Sequence, residues 1–224
     1  MFRSISLTLG QLGDPRLRSV LLMAIAASLL LIVGLAVGTG YALSALAQTG
    51  TEWLDSLLVW LGAVGTFVFA LIFFPGSVQL VSGLFADTVA DTVMSTHYPN
   101  APQPRHIPLG EVIGDGLRFA VLSIGLNILA LPLYFVLPGL NLIVFYGLNG
   151  YLLGREYAEM VGQRTLDRMA LREFRRANQG SLFLGGVLIA ALSTIPVVNL
   201  TTPVVATAFA VHEHERLRRR TVPR

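Results

Sequence analysis

Two of the four long apolar stretches in this chain are interrupted by proline near their middles, which limits how the chain can sit in a membrane. Val20–Leu46 and Leu54–Phe74 are uninterrupted and long enough to cross a bilayer. Leu117–Tyr151 contains Pro132 and Pro138, and Ser181–Val211 contains Pro196 and Pro203. Proline removes a backbone donor and clashes with the preceding turn, so each interrupted stretch is expected to fold as two arms. An arm of about 15 residues rises only about 22 Å, against a hydrocarbon core of about 30 Å. Backbone freed at that depth must be covered by protein or line a water-filled cavity. The expected fold is an all-α integral membrane protein: two long transmembrane helices, two re-entrant, hemi-penetrating helical hairpins, and interfacial amphipathic helices. Such an arrangement suits a protein that handles something polar inside the membrane.

Of 224 residues, 54% are hydrophobic and 13% charged, whereas charged residues approach a quarter of soluble domains. One membrane domain, residues 1–224, accounts for the chain. Its expected parts are helices over about 17–46 and 54–97, hairpins over about 117–154 and 181–211, an amphipathic helix over about 159–178 and a basic tail, 212–224. The absence of cysteine excludes disulfides, thiolate metal sites and cysteine nucleophiles. All sixteen basic residues are arginine, and they flank apolar runs, so the net charge of +3 belongs to a bilayer surface and not to nucleic acid. Ala45-Leu46-Ala47-Gln48 has the look of a signal-peptidase site, but a signal h-region spans only about 7–15 residues, so the longer run before it reads as a retained helix.

The arginines also set sidedness. Ala47–Asp55 holds Glu52 and Asp55 and no arginine. Arg3, Arg16 and Arg18 precede the first helix, Arg155–Gly180 carries six arginines, and the tail carries Arg216, Arg218, Arg219, Arg220 and Arg224. The positive-inside rule places both termini and the 155–180 connection in the cytoplasm. Each interrupted stretch then leaves and returns to one side, as paired short crossings or as a re-entrant hairpin, and the short arms favour the hairpin. Glu159–Ala177 carries Leu166, Met169, Ala170, Phe174 and Ala177 at helical spacing among arginines and acids, the pattern of a helix lying on the membrane surface. Phe2 to Leu12, with Ile5 and Leu9 between, is a weaker case of the same.

Asp14-Pro15-Arg16-Leu17-Arg18 is the most pointed local motif. Aspartate followed by proline marks a helix start. A helix N-terminus offers N–H donors and partial positive charge, and arginine adds a planar donor fork, a combination suited to a tetrahedral oxyanion. Arg16 and Arg18 would equally serve as interfacial anchors, and Asp14 repels a dianion. Asp115-Gly116-Leu117-Arg118 repeats the pattern, making Gly116, Leu117 and Arg118 a secondary anion candidate. Asn127, Asn141, Asn149, Asn199, Thr201 and Thr202 are polar groups within or beside apolar runs. Pro138 with Asn141, and Pro196 with Asn199, mark the two hairpin turns, where the amides cap broken backbone or face a permeant ion. His212-Glu213-His214-Glu215 points its histidines to different helix faces, a poor metal pair. Asp87, Asp91, His97 and His106 lack an activated nucleophile or metal-ligand spacing. No catalytic residue, metal or cofactor is implied, nor any Walker loop or dinucleotide fingerprint.

The whole-chain layout resembles the CysZ family of bacterial sulfate-uptake proteins, which shares a superfamily with the eukaryotic etoposide-induced protein. Three patches carry the resemblance: Pro15-Arg16-Leu17-Arg18-Ser19, where the family shows a Pro-Gly-Leu-Arg-Arg-like run; Asn149–Tyr157, which contains Leu152-Leu153-Gly154-Arg155-Glu156-Tyr157; and Pro196-Val197-Val198-Asn199-Leu200. The resemblance implies passive or proton-assisted sulfate uptake for cysteine synthesis through a bacterial inner membrane, by a homo-oligomer without an ATPase. It carries the sulfate site onto Arg16, Leu17, Arg18 and Ser19, with Arg16 in place of glycine and Ser19 in place of the second arginine. Arg155 and Glu156 are expected to form a structural or gating ion pair at the base of the first hairpin. A non-transporting membrane scaffold would need the same hairpins for packing alone.

Overall fold

The computed structural model describes residues 1–11, 13–46, 50–105, 107–136 and 138–221; Leu12, Ala47, Gln48, His106 and Arg224, named above, lie outside them. Every regular element among the described residues is helical. A short helix α1 (Phe2–Gln11) precedes a long antiparallel pair, α2 (Pro15–Leu46) and α3 (Glu52–Leu84). Helix α4 (Ala86–His97) follows at once, then α5 (Leu109–Val136), a 3-10 turn (Pro138–Leu140) and α6 (Asn141–Gly162). The chain closes with α7 (Arg168–Ala177), α8 (Gln179–Ser193), the single turn α9 (Pro196–Asn199) and α10 (Thr202–Thr221).

Among the described residues three helices, not two, are long and apolar enough to cross a membrane: Pro15–Ala45, Glu52–Ala70 and Ile113–Val136. The third corrects the expectation that Pro132 divides the first interrupted stretch at its centre. Pro132 lies within α5, which stays helical to Val136, and the reversal comes at Pro138–Leu140. Pro132 withdraws the donor for the Ile128 carbonyl, one lost bond that a membrane helix tolerates without ending. The first hairpin is therefore unequal, since the apolar part of α6 ends at Gly154, before Arg155, about 21 Å along. The second hairpin has two short arms. Its α8 has 15 residues, about 22 Å, and α10 meets His212 after Val211.

Two further boundaries differ from the sequence reading. The expected helix 54–97 is broken at Phe85, whose φ of −98° and ψ of 3° divide α3 from α4. The expected basic tail is the second half of α10, helical to Thr221, with His212, Glu213, His214, Glu215 and Leu217 buried.

Leu17 and Val20 of α2, Val89 and Val93 of α4, Val161 of α6, and Val204, Ala208 and Val211 of α10 form one apolar cluster. Ile189 of α8 joins Ala206 and Phe209 of α10 in a second. By contrast, α2, α3 and α5 turn large apolar side chains outward, among them Leu30, Trp60, Phe67, Leu129 and Phe135. Surfaces of that size call for lipid.

The tightest packing joins α6 to α8 through glycine. A Cβ on Gly186 would sit inside contact distance of the Gly150 carbonyl and the Gly154 nitrogen, and one on Gly154 would strike the Leu182 carbonyl. Lipid supplies no hydrophobic drive between helices, so small residues that let backbones meet do the packing.

Around this frame lies a polar core. Helix α1 turns Ser4, Thr8 and Gln11 inward, at helical spacing, and leaves Phe2 and Leu9 exposed. The Ser4 hydroxyl donates to Glu213 at 2.8 Å. Four groups then form a continuous chain. Gln11 Oε1 can only accept, so His212 Nε2 donates to it at 2.8 Å, and His212 Nδ1 accepts from the Tyr98 hydroxyl at 2.7 Å. The Gln11 amide nitrogen donates to His97 Nδ1 at 2.8 Å. His214 meets Thr165 at 3.2 Å and packs against the Phe174 ring. Burial lowers both buried imidazoles: His212, further lowered by the charge of His97, to about 4, and His214, with Glu215 opposing, also to about 4. Burial pushes Glu213 up, but the Arg216 and Ser4 hydrogen bonds outweigh it and hold its carboxyl below the usual range.

Two predictions follow from this packing. Gly186→Val forces rigid backbones apart, so in detergent it should lower stability by about 1–3 kcal/mol or more. Gly147→Val, on α6 where nothing lies within 4 Å, serves as the milder control in the same thermal melts. Because His212 and His214 are neutral in the fold and titrate near 6.5 when unfolded, their contribution is complete above about pH 6.5 and is lost as pH falls toward 4. Thermal unfolding should show stability falling below pH 6.5 by up to about 1.4 kcal/mol per pH unit for each ring, with a flatter profile in His212→Gln. An unchanged slope in that variant would contradict the assignment.

Candidate anion site

Pro15 opens α2, and the Asp14 carboxylate accepts the Arg16 N–H at 2.8 Å while its carbonyl accepts the Arg18 N–H at 3.0 Å. The protein's own carboxylate thus already serves part of this helix terminus. Leu17 is buried against α4 and α10, whereas Arg16, Arg18 and Ser19 are exposed. The Ser19 hydroxyl donates back to the Arg16 carbonyl at 2.7 Å. One turn of helix therefore presents two guanidinium groups outward while its leucine anchors it to the core. Any part Leu17 plays toward an anion is through its main chain.

The secondary candidate is differently placed. Gly116, Leu117 and Arg118 are exposed on α5. Arg118 pairs with Asp115 of its own helix at 3.5 Å, and Asp115 also accepts from Arg168 of α7 at 3.1 Å. Arg168 reaches Glu111 at 3.4 Å, and Arg105 bonds Glu111 too. The first turns of α5 thus act as an acidic hub gathering arginines from α7 and from the proline-rich loop that follows α4 (residues 98–105). The small cleft there, about 170 Å³, is lined by Asp115 and Glu159 as well as by arginines, so its charge is largely compensated internally.

The expected pairing of Arg155 with Glu156 is corrected by the geometry. Arg155 Nε lies 3.0 Å from Glu159, one helical turn on, and Arg175 of α7 reaches the same Glu159 oxygen. Adjacent helical residues point about 100° apart and cannot face each other, whereas i,i+4 residues share a face. At the hairpin turns, Pro138 opens the 3-10 turn and Asn141 begins α6, while Pro196 and Asn199 bound α9. The Asn199 N–H bonds the Ile195 carbonyl at 2.7 Å.

One residue that sequence reasoning treated only as a topology marker organises this side of the molecule. Arg164, almost fully buried, clamps Asp87 and Asp91 of α4 with its two terminal nitrogens. Its carbonyl accepts the Arg105 N–H at 2.8 Å, and Arg105 Nε donates to the Gln163 carbonyl at 2.8 Å. The α6–α7 turn, α4 and the proline-rich loop are locked together through this one side chain. Asp87 and Asp91 four residues apart were the available signal, since i,i+4 carboxylates present a fork to one guanidinium. Asp167 caps α7 by accepting the Ala170 N–H at 2.8 Å, and Arg175 and Arg176 occupy its last turn, where the helix dipole favours cations.

No individually curated protein matches the chain. The sequence profile of the family described as sulfate transporter CysZ/etoposide-induced protein 2.4 matches residues 4–203, and the chain belongs to that family. The match runs from within α1 to the start of α10, taking in the α2 terminus, the acidic hub, the first hairpin, and the first arm and turn of the second. With its apolar helices, the chain is a multi-pass membrane protein of a transporter family.

Proposed function

We propose that this member of the family takes up sulfate, or a closely related oxyanion, through a bacterial inner membrane without ATP and supplies it for cysteine biosynthesis. Family membership over residues 4–203 is the observation that carries the reading. The α2 terminus fits it chemically: Arg16 and Arg18 are exposed on the turn that Asp14 caps and Leu17 anchors. A guanidinium offers a sulfate paired donors in one plane, and the first turn of α2 adds partial positive charge. In this reading both termini and the arginine-rich layer face the cytoplasm. The second hairpin enters from that side and turns back within the bilayer, a path that its short arm α8 and Pro196 permit. Hairpins that stop partway leave backbone for neighbours to cover, so the working unit is a homo-oligomer.

The test is sulfate binding and flux with purified protein. Arg18→Ala should weaken sulfate binding by calorimetry about tenfold, the loss expected for one charge-assisted hydrogen bond, while leaving the melting temperature unchanged. In proteoliposomes the same change should reduce saturable radiolabelled sulfate uptake. Wild-type vesicles that show no saturable uptake would mark the chain as a scaffold, not a permease.

A further inference from the structure

Beyond the ion pairs of Glu159, the junction of α6, α7 and α8 opens into a cleft of about 480 Å³. Arg155, Arg175, Arg176 and Gln179 form its polar side, and Tyr151, Leu182 and Phe183 its apolar side. Three guanidinium groups line it, and among the described residues no carboxylate does. Glu159, just outside, shares one carboxylate oxygen between Arg155 and Arg175, so positive charge remains in excess. The crowding is felt at Arg175, which burial, and then the charge of Arg155, holds below the usual arginine range.

The start of α8 adds donors of the same sign. The Asn178 side chain donates back to the Phe174 carbonyl at 2.8 Å and does not cap α8, whose first residues Gln179 and Gly180 line the cleft. Nothing lies within 4 Å of where a Gly180 Cβ would stand, so the backbone there is open to a ligand. The cavity is much larger than one tetrahedral ion needs, since a water molecule occupies only about 30 Å³. Its other wall is apolar, with Tyr151 and Phe183 partly exposed and Leu184 exposed beside it. The cleft also adjoins α7, whose arginine-rich face and exposed Met169 suit the membrane surface. A free ion would use the guanidinium groups and leave that wall bare.

We propose that this cleft holds the phosphate group of an anionic phospholipid, with Arg155, Arg175, Arg176 and the first turn of α8 around the phosphate and the Tyr151–Phe183 wall against the glycerol and upper acyl chain. This goes beyond oxyanion uptake and does not rest on it: the lipid is a bound structural partner whatever the cargo is. Phosphate is the shared chemistry of a lipid headgroup and a soluble ion, and size and the apolar wall select the lipid.

The experiment is native mass spectrometry of the full chain released from nanodiscs of phosphatidylglycerol and phosphatidylcholine in equal parts, paired with thermal melts in detergent. Wild type should retain phosphatidylglycerol in preference to phosphatidylcholine. Arg176→Gln and Gly180→Asp should each reduce that retention about tenfold, as expected for losing a charge-assisted contact. Gly180→Asp places a carboxylate in the first turn of α8, where the helix dipole favours it, so its melting temperature without lipid should match wild type while the anion is repelled. Phosphatidylglycerol should raise the wild-type melting temperature, and inorganic phosphate at the same concentration should not. Equal retention of both lipids, undiminished retention by Gly180→Asp, or equal protection by inorganic phosphate would overturn the proposal, and sulfate flux measured alongside would be unaffected by any of these.

Discussion

The structure depends on backbone meeting backbone where α6 crosses α8. Gly150, Gly154 and Gly186 leave no room there for a side chain. Because lipid competes equally for any apolar surface, this close approach supplies what hydrophobic burial would supply in water. Much else is set by it. Arg155 follows Gly154 at this crossing and pairs with Glu159 one turn on, where Arg175 of α7 meets the same carboxylate. Helix α8 in turn presents Ile189 to Phe209 of α10, and α10 brings its buried polar half under α1 and α4.

The chain is thus solved differently in its two environments. Outward-facing apolar side chains on α2, α3 and α5 need only lipid, whereas the arginine-rich end is held by polar bonds that must all be made together. Arg164 between Asp87 and Asp91, the chain from Tyr98 through His212 and Gln11 to His97, and Glu213 beneath Ser4 interlock α1, α4, α10 and the α6–α7 turn. A buried arginine is weak evidence of net stability, but removing its partners is costly because the charge is left stranded. Networks of this kind specify one arrangement more than they deepen it.

The helical character and membrane class were legible in long apolar runs, absent cysteine and flanking arginines. Pro132 costs α5 one backbone bond without dividing it, and α5 is a third helix of crossing length among the described residues. Phe85 carries no breaker signal, and its kink reflects α4 packing into the core through Val89 and Val93. His212–Glu215 looked like a solvated tail because their partners, Gln11, Tyr98, Thr165 and Ser4, are distant in sequence. The same distance hid the Arg175–Glu159 pair, so local reasoning assigned Arg155 to the neighbour it cannot face. The glycines stood inside a recognisable family pattern, yet their reason lies on another helix.

Family membership and the short arms of the second hairpin meet in one claim, that the chain dips into the bilayer from the cytoplasmic side and turns back. The cysteine-free background makes its depth directly measurable. A single cysteine at Thr194, in the turn between α8 and α9, exposed to a membrane-impermeant thiol reagent on intact cells, is the decisive measurement. The account predicts no labelling from outside until the membrane is permeabilised; rapid labelling of intact cells would place that turn in external water and contradict it.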